Sequence, residues 1–359
     1  MIGRIFKWLG GLLVVIIVTA AVLLTFWIKN QVFLGGVEDA NVAYLKEHQQ
    51  VISQATADAN LFEASFYDNQ LFLLGENHGA ADIQQVDQLL LEHLNQQVGL
   101  RYYVAEMDSI RAGWLNEFLV NPEKDTALLK QVVRDVGKRI PQQASQKLFE
   151  KWVNIHQYNQ QIADSLKIKV IGIDKVLEDT STSITRDSAM FLNFREAVTS
   201  DGLAKERFYG LLGYTHVLQS GVGSEHFMPF AAKAKGFDWP LAQAIKSIAC
   251  YNLDSEVRLP PTGQYPAPPD EKTSLLNVDG PLVLVKGIKD LREATEDHTI
   301  TLFNLEAADS PYQNNQRLAG VKVNIMGEDV LPSDESEPTT HFFQYVVLTR
   351  NSPALTRLE

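Results

Sequence analysis

Leu71-Phe-Leu-Leu-Gly-Glu-Asn-His-Gly79 decides how this chain is read. Four apolar residues in a row, Leu71–Leu74, have the length and composition of a short strand buried on both faces. The run stops at Gly75, and Glu76, His78 and Gly79 follow at once. Directly behind, Ile83, Val86, Leu89, Leu90, Leu94 and Val98 recur at three- and four-residue steps, which predicts an amphipathic helix over Asp82–Val98. Gly99 is placed to end it, because glycine takes the left-handed cap without a Cβ penalty. A carboxylate and an imidazole in the turn after a buried strand lie where open α/β sheets gather their ligands, at the carboxyl ends of the strands.

The arrangement recurs along the chain. Strands are expected at Tyr102–Ala105, ending in Glu106, at Ile168–Ile173, ending in Asp174, and at Arg207–Leu212, ending in Gly213-Tyr-Thr-His216. Helices are expected between them at Arg111–Val120, in the polar stretch leading to Pro141, at Leu148–Leu166 and at Thr180–Val198. Asn41–Ala64 reads as a helix packed on the sheet edge, and His226–Lys235 as another. Ala244–Asn252 suits strand or helix. A proline-rich insertion spans about 254–281. Beyond it, Leu282–Lys286, Ile300–Leu305, Val321–Met326 and Phe342–Thr349 read as strands. Strands alternating with helices of this length predict an α/β fold with a mostly parallel central sheet flanked by helices, to which the strand-rich tail adds antiparallel or edge strands.

The 359 residues carry a formal charge of −12, the reverse of the basic face that a general nucleic-acid binder needs. Cys250 is the single cysteine, which excludes intrachain disulfides and cysteine-based metal motifs. At the N-terminus, Trp8–Ile28 is an uncharged run of the length that crosses a hydrocarbon core as a helix, with a tryptophan near each end. Arg4 and Lys7 precede it, and Glu38 and Asp39 follow soon after. The expected layout is a cytoplasmic segment 1–7, a transmembrane helix 8–28, a juxtamembrane linker 29–40 and a domain 41–359 on the periplasmic or extracellular side of the inner (plasma) membrane.

If the strands are parallel, Glu76, His78, Glu106, Asp174 and His216 converge on one edge of the sheet. Two imidazoles among carboxylates support two chemistries. In one, Glu76, His78, Glu106 and His216 hold a divalent ion such as Zn²⁺ or Mn²⁺, which acidifies a bound water. In the other no metal is needed: His78 is the general base on water and a carboxylate orients it. The chain contains no Gly-x-Ser-x-Gly elbow, P-loop or dinucleotide fingerprint. Arg186 suits bidentate binding of a substrate carboxylate or phosphate, or an ordinary salt bridge. Tyr214 suits a site hydroxyl or core packing, Asp108 a helix cap, and His226, at the expected start of a helix, a further metal ligand. His48, His93, His156 and His298 read as surface or packing residues, and His341 as a residue that reaches the sheet edge at most.

Leu74-Gly-Glu-Asn-His-Gly79, Val104-Ala-Glu-Met-Asp108 with Trp114-Leu-Asn116, Thr185-Arg-Asp-Ser-Ala-Met190, Gly213-Tyr-Thr-His-Val217 and Tyr345-Val-Val-Leu-Thr349 with Asn351-Ser-Pro353 together resemble the motifs of the erythromycin esterase-like, Tiki/TraB and ChaN-like (haem-uptake) superfamily. The resemblance runs over roughly Asn69–Arg357. It implies a split α/β fold of two related halves, each with one Gly-x-x-His turn, and it carries over Glu76, His78, Glu106, Arg186 and His216 as site residues. Its members divide between lactone-opening esterases, metal-dependent peptidases and haem-associated proteins. Two expectations follow: an anchored hydrolase of an ester, lactone or peptide bond in a small molecule or peptide, or a non-catalytic binder of haem, iron or another small ligand. The anchor and the proline-rich insertion depart from the erythromycin esterases, so antibiotic inactivation does not follow from the resemblance.

Overall fold

A computed structural model describes residues 2–53, 61–179, 183–200, 202–236, 245–262, 266–324 and 327–359. An eight-stranded sheet forms its centre, in the order β1-β10-β12-β6-β2-β5-β3-β4. These strands are β1 (Gln49–Val51), β2 (Leu71–Glu76), β3 (Tyr102–Ala105), β4 (Lys169–Gly172), β5 (Phe208–Gly213), β6 (Ile245–Leu253), β10 (Ile300–Asn304) and β12 (Tyr345–Arg350). From β12 to β4 all neighbours are parallel, whereas β10 and β1 add an antiparallel edge. The stretch 244–252, readable either way, is therefore an inner strand over its described residues.

The β2 run is buried because both faces of the sheet are covered. Phe72 and Leu74 face a core shared with helices α3 (Asp82–Val98), α4 (Ser109–Val120), α5 (Thr126–Arg139) and α6 (Gln146–Gln161). Leu71 and Leu73 face α7 (Arg186–Ser200) and α8 (Phe230–Gly236). Helix α3 has the bounds its periodicity predicts, and Gly99 caps it at φ +65°. Asp108 caps α4 by accepting the Arg111 N–H.

Several boundaries differ from the sequence reading, each for a local reason. The helix expected over 41–64 is α2 (Asp39–Glu47); the chain then turns extended, and β1 and Ile52 pair along β10 and Ile300. The end of that expected helix, 54–60, lies outside the described residues. Helix α6 stops at Gln161, short of Leu166, because Asn159 binds both backbone groups of Ile168 and draws the chain toward β4. Helix α7 starts at Arg186, where the Thr185 hydroxyl accepts the Ser188 N–H; positions 180–182 of the expected helix are not described. His226 sits at φ +51° in an exposed turn rather than at a helix start. Helix α8 begins only after Pro229, which disfavours helical backbone at Met228.

The insertion contributes the short pair β7 (Val257–Arg258) and β8 (Lys272–Thr273), and the tail forms a second short pair, β9 (Val283–Val285) with β11 (Val321–Val323). Residues 263–265 of the proline-rich loop and 325–326 of the expected strand Val321–Met326 lie outside the described set. Helix α1 (Ile2–Leu34) is exposed along its apolar length, and its stretch Gly11–Leu34 is long and apolar enough to cross a membrane. It runs on into the segment read as a linker, as far as Leu34, and its last turn docks on the domain. The Leu34 carbonyl accepts the N–H of Gly287, just ahead of α9 (Ile288–Ala294), and Lys289 donates to Gln31. Next along, Arg317 clamps Glu38 and Asp290.

Candidate functional site

The sheet order places the two Gly-x-x-His turns side by side. Strands β2 and β5 are parallel neighbours with Glu76 in register with Gly213, and each turn needs the other's glycine. A Cβ on Gly75 would come within 2.3 Å of Val217, one residue past His216. A Cβ on Gly213 would lie 3.2 Å from His78 Nε2 and 3.4 Å from the His216 ring. Both imidazoles therefore meet above Gly213.

Glu76 is buried, and its Oε1 lies 3.1 Å from His78 Nδ1. The same oxygen accepts a hydrogen bond from Gln143. Burial disfavours the charged ring of His78, but the charge and hydrogen bond of Glu76 outweigh it, so its pKa stands above the ordinary histidine value.

The second ring has a richer setting. His216 Nδ1 lies 2.7 Å from Asp187 Oδ1, and its Nε2 is 3.5 Å from Glu106 Oε1. Burial again opposes the charged form; the hydrogen bonds to Asp187 and Glu106 more than offset it, and the pKa rises to about 9. Asp187 is held in turn by the Phe230 N–H at the start of α8. Glu106 receives the Gly213 N–H at 2.7 Å on Oε2 and Arg186 at 2.6 Å on Oε1. Against its burial, His216, Arg186 and His78 together hold its carboxyl well below the usual range. Asp174, buried beyond β4, anchors Arg186 through Nε at 3.0 Å and also pairs with Arg139 at 2.9 Å. Arg186 Nη1 remains 3.4 Å from His216 Nε2. Among the described residues no carboxylate bonds that Nη1, so it and His216 Nε2 stand side by side within the site.

Glu76, His78, Glu106, Arg186 and His216 are thus brought together, and Asp174 serves as the support of Arg186. Tyr214 is not: its hydroxyl points into the core and meets that of Tyr251 at 3.0 Å. His226 and His341 are exposed, His93 bonds the Tyr67 hydroxyl, and His156 bonds the Asn121 carbonyl. Sequence reasoning missed Asp187, although it lies beside Arg186 in a quoted motif, and Gln143, which no motif marks.

The donor set fits a metal poorly. Among the described residues no three His, Cys, Asp or Glu side chains stand together as ligands would. Both Glu106 oxygens already accept hydrogen bonds, and the Arg186 guanidinium lies where a second cation would be repelled.

No protein-family model matches the chain, and neither does any curated protein. Solved structures do. A Bacillus cereus protein superposes with a TM-score of 0.63 at 13% identity, covering 89% of this chain and 99% of that one. A succinoglycan biosynthesis protein gives 0.60 at 11%, covering 90% and 100%. A mutant of the erythromycin esterase EreC, in its open conformation, gives 0.56 at 11%, covering 85% and 98%. At these identities the likeness is one of fold, which the chain shares with these three structures, the erythromycin esterase EreC among them.

Proposed function

We propose that the chain is a membrane-anchored hydrolase that opens an ester or lactone by metal-free attack of water. The observation that carries the proposal is the meeting of two unlike imidazoles above Gly213, one backed by Glu76 alone and the other set between Asp187 and Glu106. With its Nδ1–H donating to Glu76, His78 presents Nε2 as a base. It takes a proton from water as the water oxygen bonds to the acyl carbon. The carbonyl oxygen becomes an oxyanion beside His216 Nε2 and Arg186 Nη1, two donors preorganised by carboxylates behind them. When the intermediate collapses, the acyl–oxygen bond breaks and the leaving alkoxide recovers the proton from His78. The products are a carboxylic acid and an alcohol, with one water consumed. Esterase activity is what the name of EreC states for that protein, and it supports this choice of bond over a peptide.

Arg4 and Lys7 before the apolar stretch and Glu38 and Asp39 after it favour a cytoplasmic N-terminus, with the domain on the periplasmic or outer side. The test is turnover of an ester and lactone panel by the full chain in detergent, beside His78→Gln. Hydrolysis lost in the variant supports the proposal. Hydrolysis that persists in the variant, or its absence from wild type with every substrate, overturns it.

A further inference from the structure

Glu76 Oε1 accepts two hydrogen bonds, and the second leads away from the site. Its donor, Gln143, closes the short turn Pro141–Gln143 between α5 and α6 and is buried. The Gln143 amide oxygen accepts in turn from Gln84 Nε2 at 3.3 Å, and Gln84, in the first turn of α3, is buried as well.

The sense of this chain follows from what each group can do. An ionised carboxylate only accepts, so the Gln143 atom against Glu76 is its amino group. Its oxygen then faces Gln84, which must present an amino group too. The same constraint acts on the other side of Glu76: the His78 nitrogen that faces Oε1 must carry a proton, and Nε2 is left with its lone pair above Gly213. A carboxylate held only by the imidazole it orients would be free to rotate about its terminal torsion, which is broad and weakly restrained.

We propose that Gln84 and Gln143 are positioning residues: an amide relay that locks the Glu76 carboxylate and thereby fixes which His78 nitrogen carries the proton. This rests on the reading of His78 as the base, but its test reads where the proton sits rather than turnover. Each acts through Glu76.

The experiment is ¹⁵N and ¹³C NMR of the full chain, labelled at its eight histidines, in detergent, with the His78 signals assigned from His78→Gln. Above its titration midpoint, wild-type His78 is expected to carry the proton on Nδ1. In Gln143→Met, similar in length but without a donor, the signals shift to a mixture of tautomers and the midpoint falls by about one pH unit, as the carboxylate partner is loosened. Gln84→Leu moves both readouts the same way by less, and the double variant shows no more than Gln143→Met. A folded Gln143→Met with the wild-type tautomer and midpoint overturns the relay. If that variant fails to fold, Gln84→Leu decides, and an unchanged midpoint there overturns it equally. A chain with no hydrolytic activity but the predicted NMR shifts keeps the relay and loses the hydrolase; active protein with unchanged His78 signals does the reverse.

Discussion

The two Gly-x-x-His turns share a pattern, neighbouring parallel strands and a reciprocal need for glycine, yet their histidines differ in kind. His78 has one carboxylate partner and is the more exposed of the two; His216 has two partners and an arginine alongside. What separates the two rings, and in the proposed reaction a base from an oxyanion donor, is not the turn but what other elements bring to it. Helix α7 supplies Asp187 and Arg186 to one ring, and the turn after α5 supplies Gln143 to the carboxylate behind the other. A repeated motif can thus place its two histidines in unlike settings: both rings are raised above the ordinary value, His78 by Glu76 and His216 to about 9 by Asp187 and Glu106.

The comparison breaks most sharply on the base. His78→Gln should cut turnover about 10²–10⁴-fold while the chain still folds cooperatively. His216→Gln should cost about 10²–10³-fold, the size expected for loss of one donor to an oxyanion. The two should also differ in pH profile. Activity rises as His78 loses its proton and declines as His216 loses its own near pH 9. The His216 variant should therefore lack the alkaline limb alone; loss of the acid limb instead would reverse the two roles.

Gly75→Ala tests the reciprocal packing, because its methyl has no room against Val217. A loss of about 1–3 kcal/mol in denaturant unfolding is expected. Asp187→Asn sharpens the contrast in stability. A histidine raised to about 9 in the fold stabilises it fully below its ordinary value near 6.5, and that stabilisation fades as pH rises through 9. Melting temperature should decline across that window in wild type, and the decline should shrink and move to lower pH in the variant. The smallest effect is expected from a chelator: turnover should survive it, and loss restored by Zn²⁺ or Mn²⁺ would return the metal reading.

Much of this was legible because the signals are local. The unbroken apolar run at Leu71–Leu74 and the three-to-four spacing of α3 are set by burial; α3 has its predicted bounds, and the strand begins at Leu71 as expected but runs on through Gly75 to Glu76. The convergence of Glu76, Glu106, Asp174 and His216 followed once the strands were taken as parallel. The strand order did not: nothing in the sequence says that β5 inserts between β2 and β3, which alone makes the two histidine turns adjacent. Gln143 comes from a short turn whose position depends on how α5 meets α6. Tyr214, readable as a site hydroxyl or as core packing, stayed open for a related reason: in a turn, the direction of one side chain is decided by its neighbours, here Tyr251, and not by the motif around it.

The docked end of α1 has a mechanical consequence. A helix on a slack tether lets its cargo tumble, whereas here Leu34, Gln31 and Glu38 are bolted to Gly287, Lys289 and Arg317. The Tyr251 hydroxyl, which touches Tyr214, also reaches the Leu318 carbonyl, and Leu318 bonds back to Lys286, next to Gly287. The rod and the second histidine turn thus belong to one stiff frame. A lean of the rod would swing the domain as a lever, so the tilt of α1 would set the height and bearing at which the two histidine turns face their surroundings.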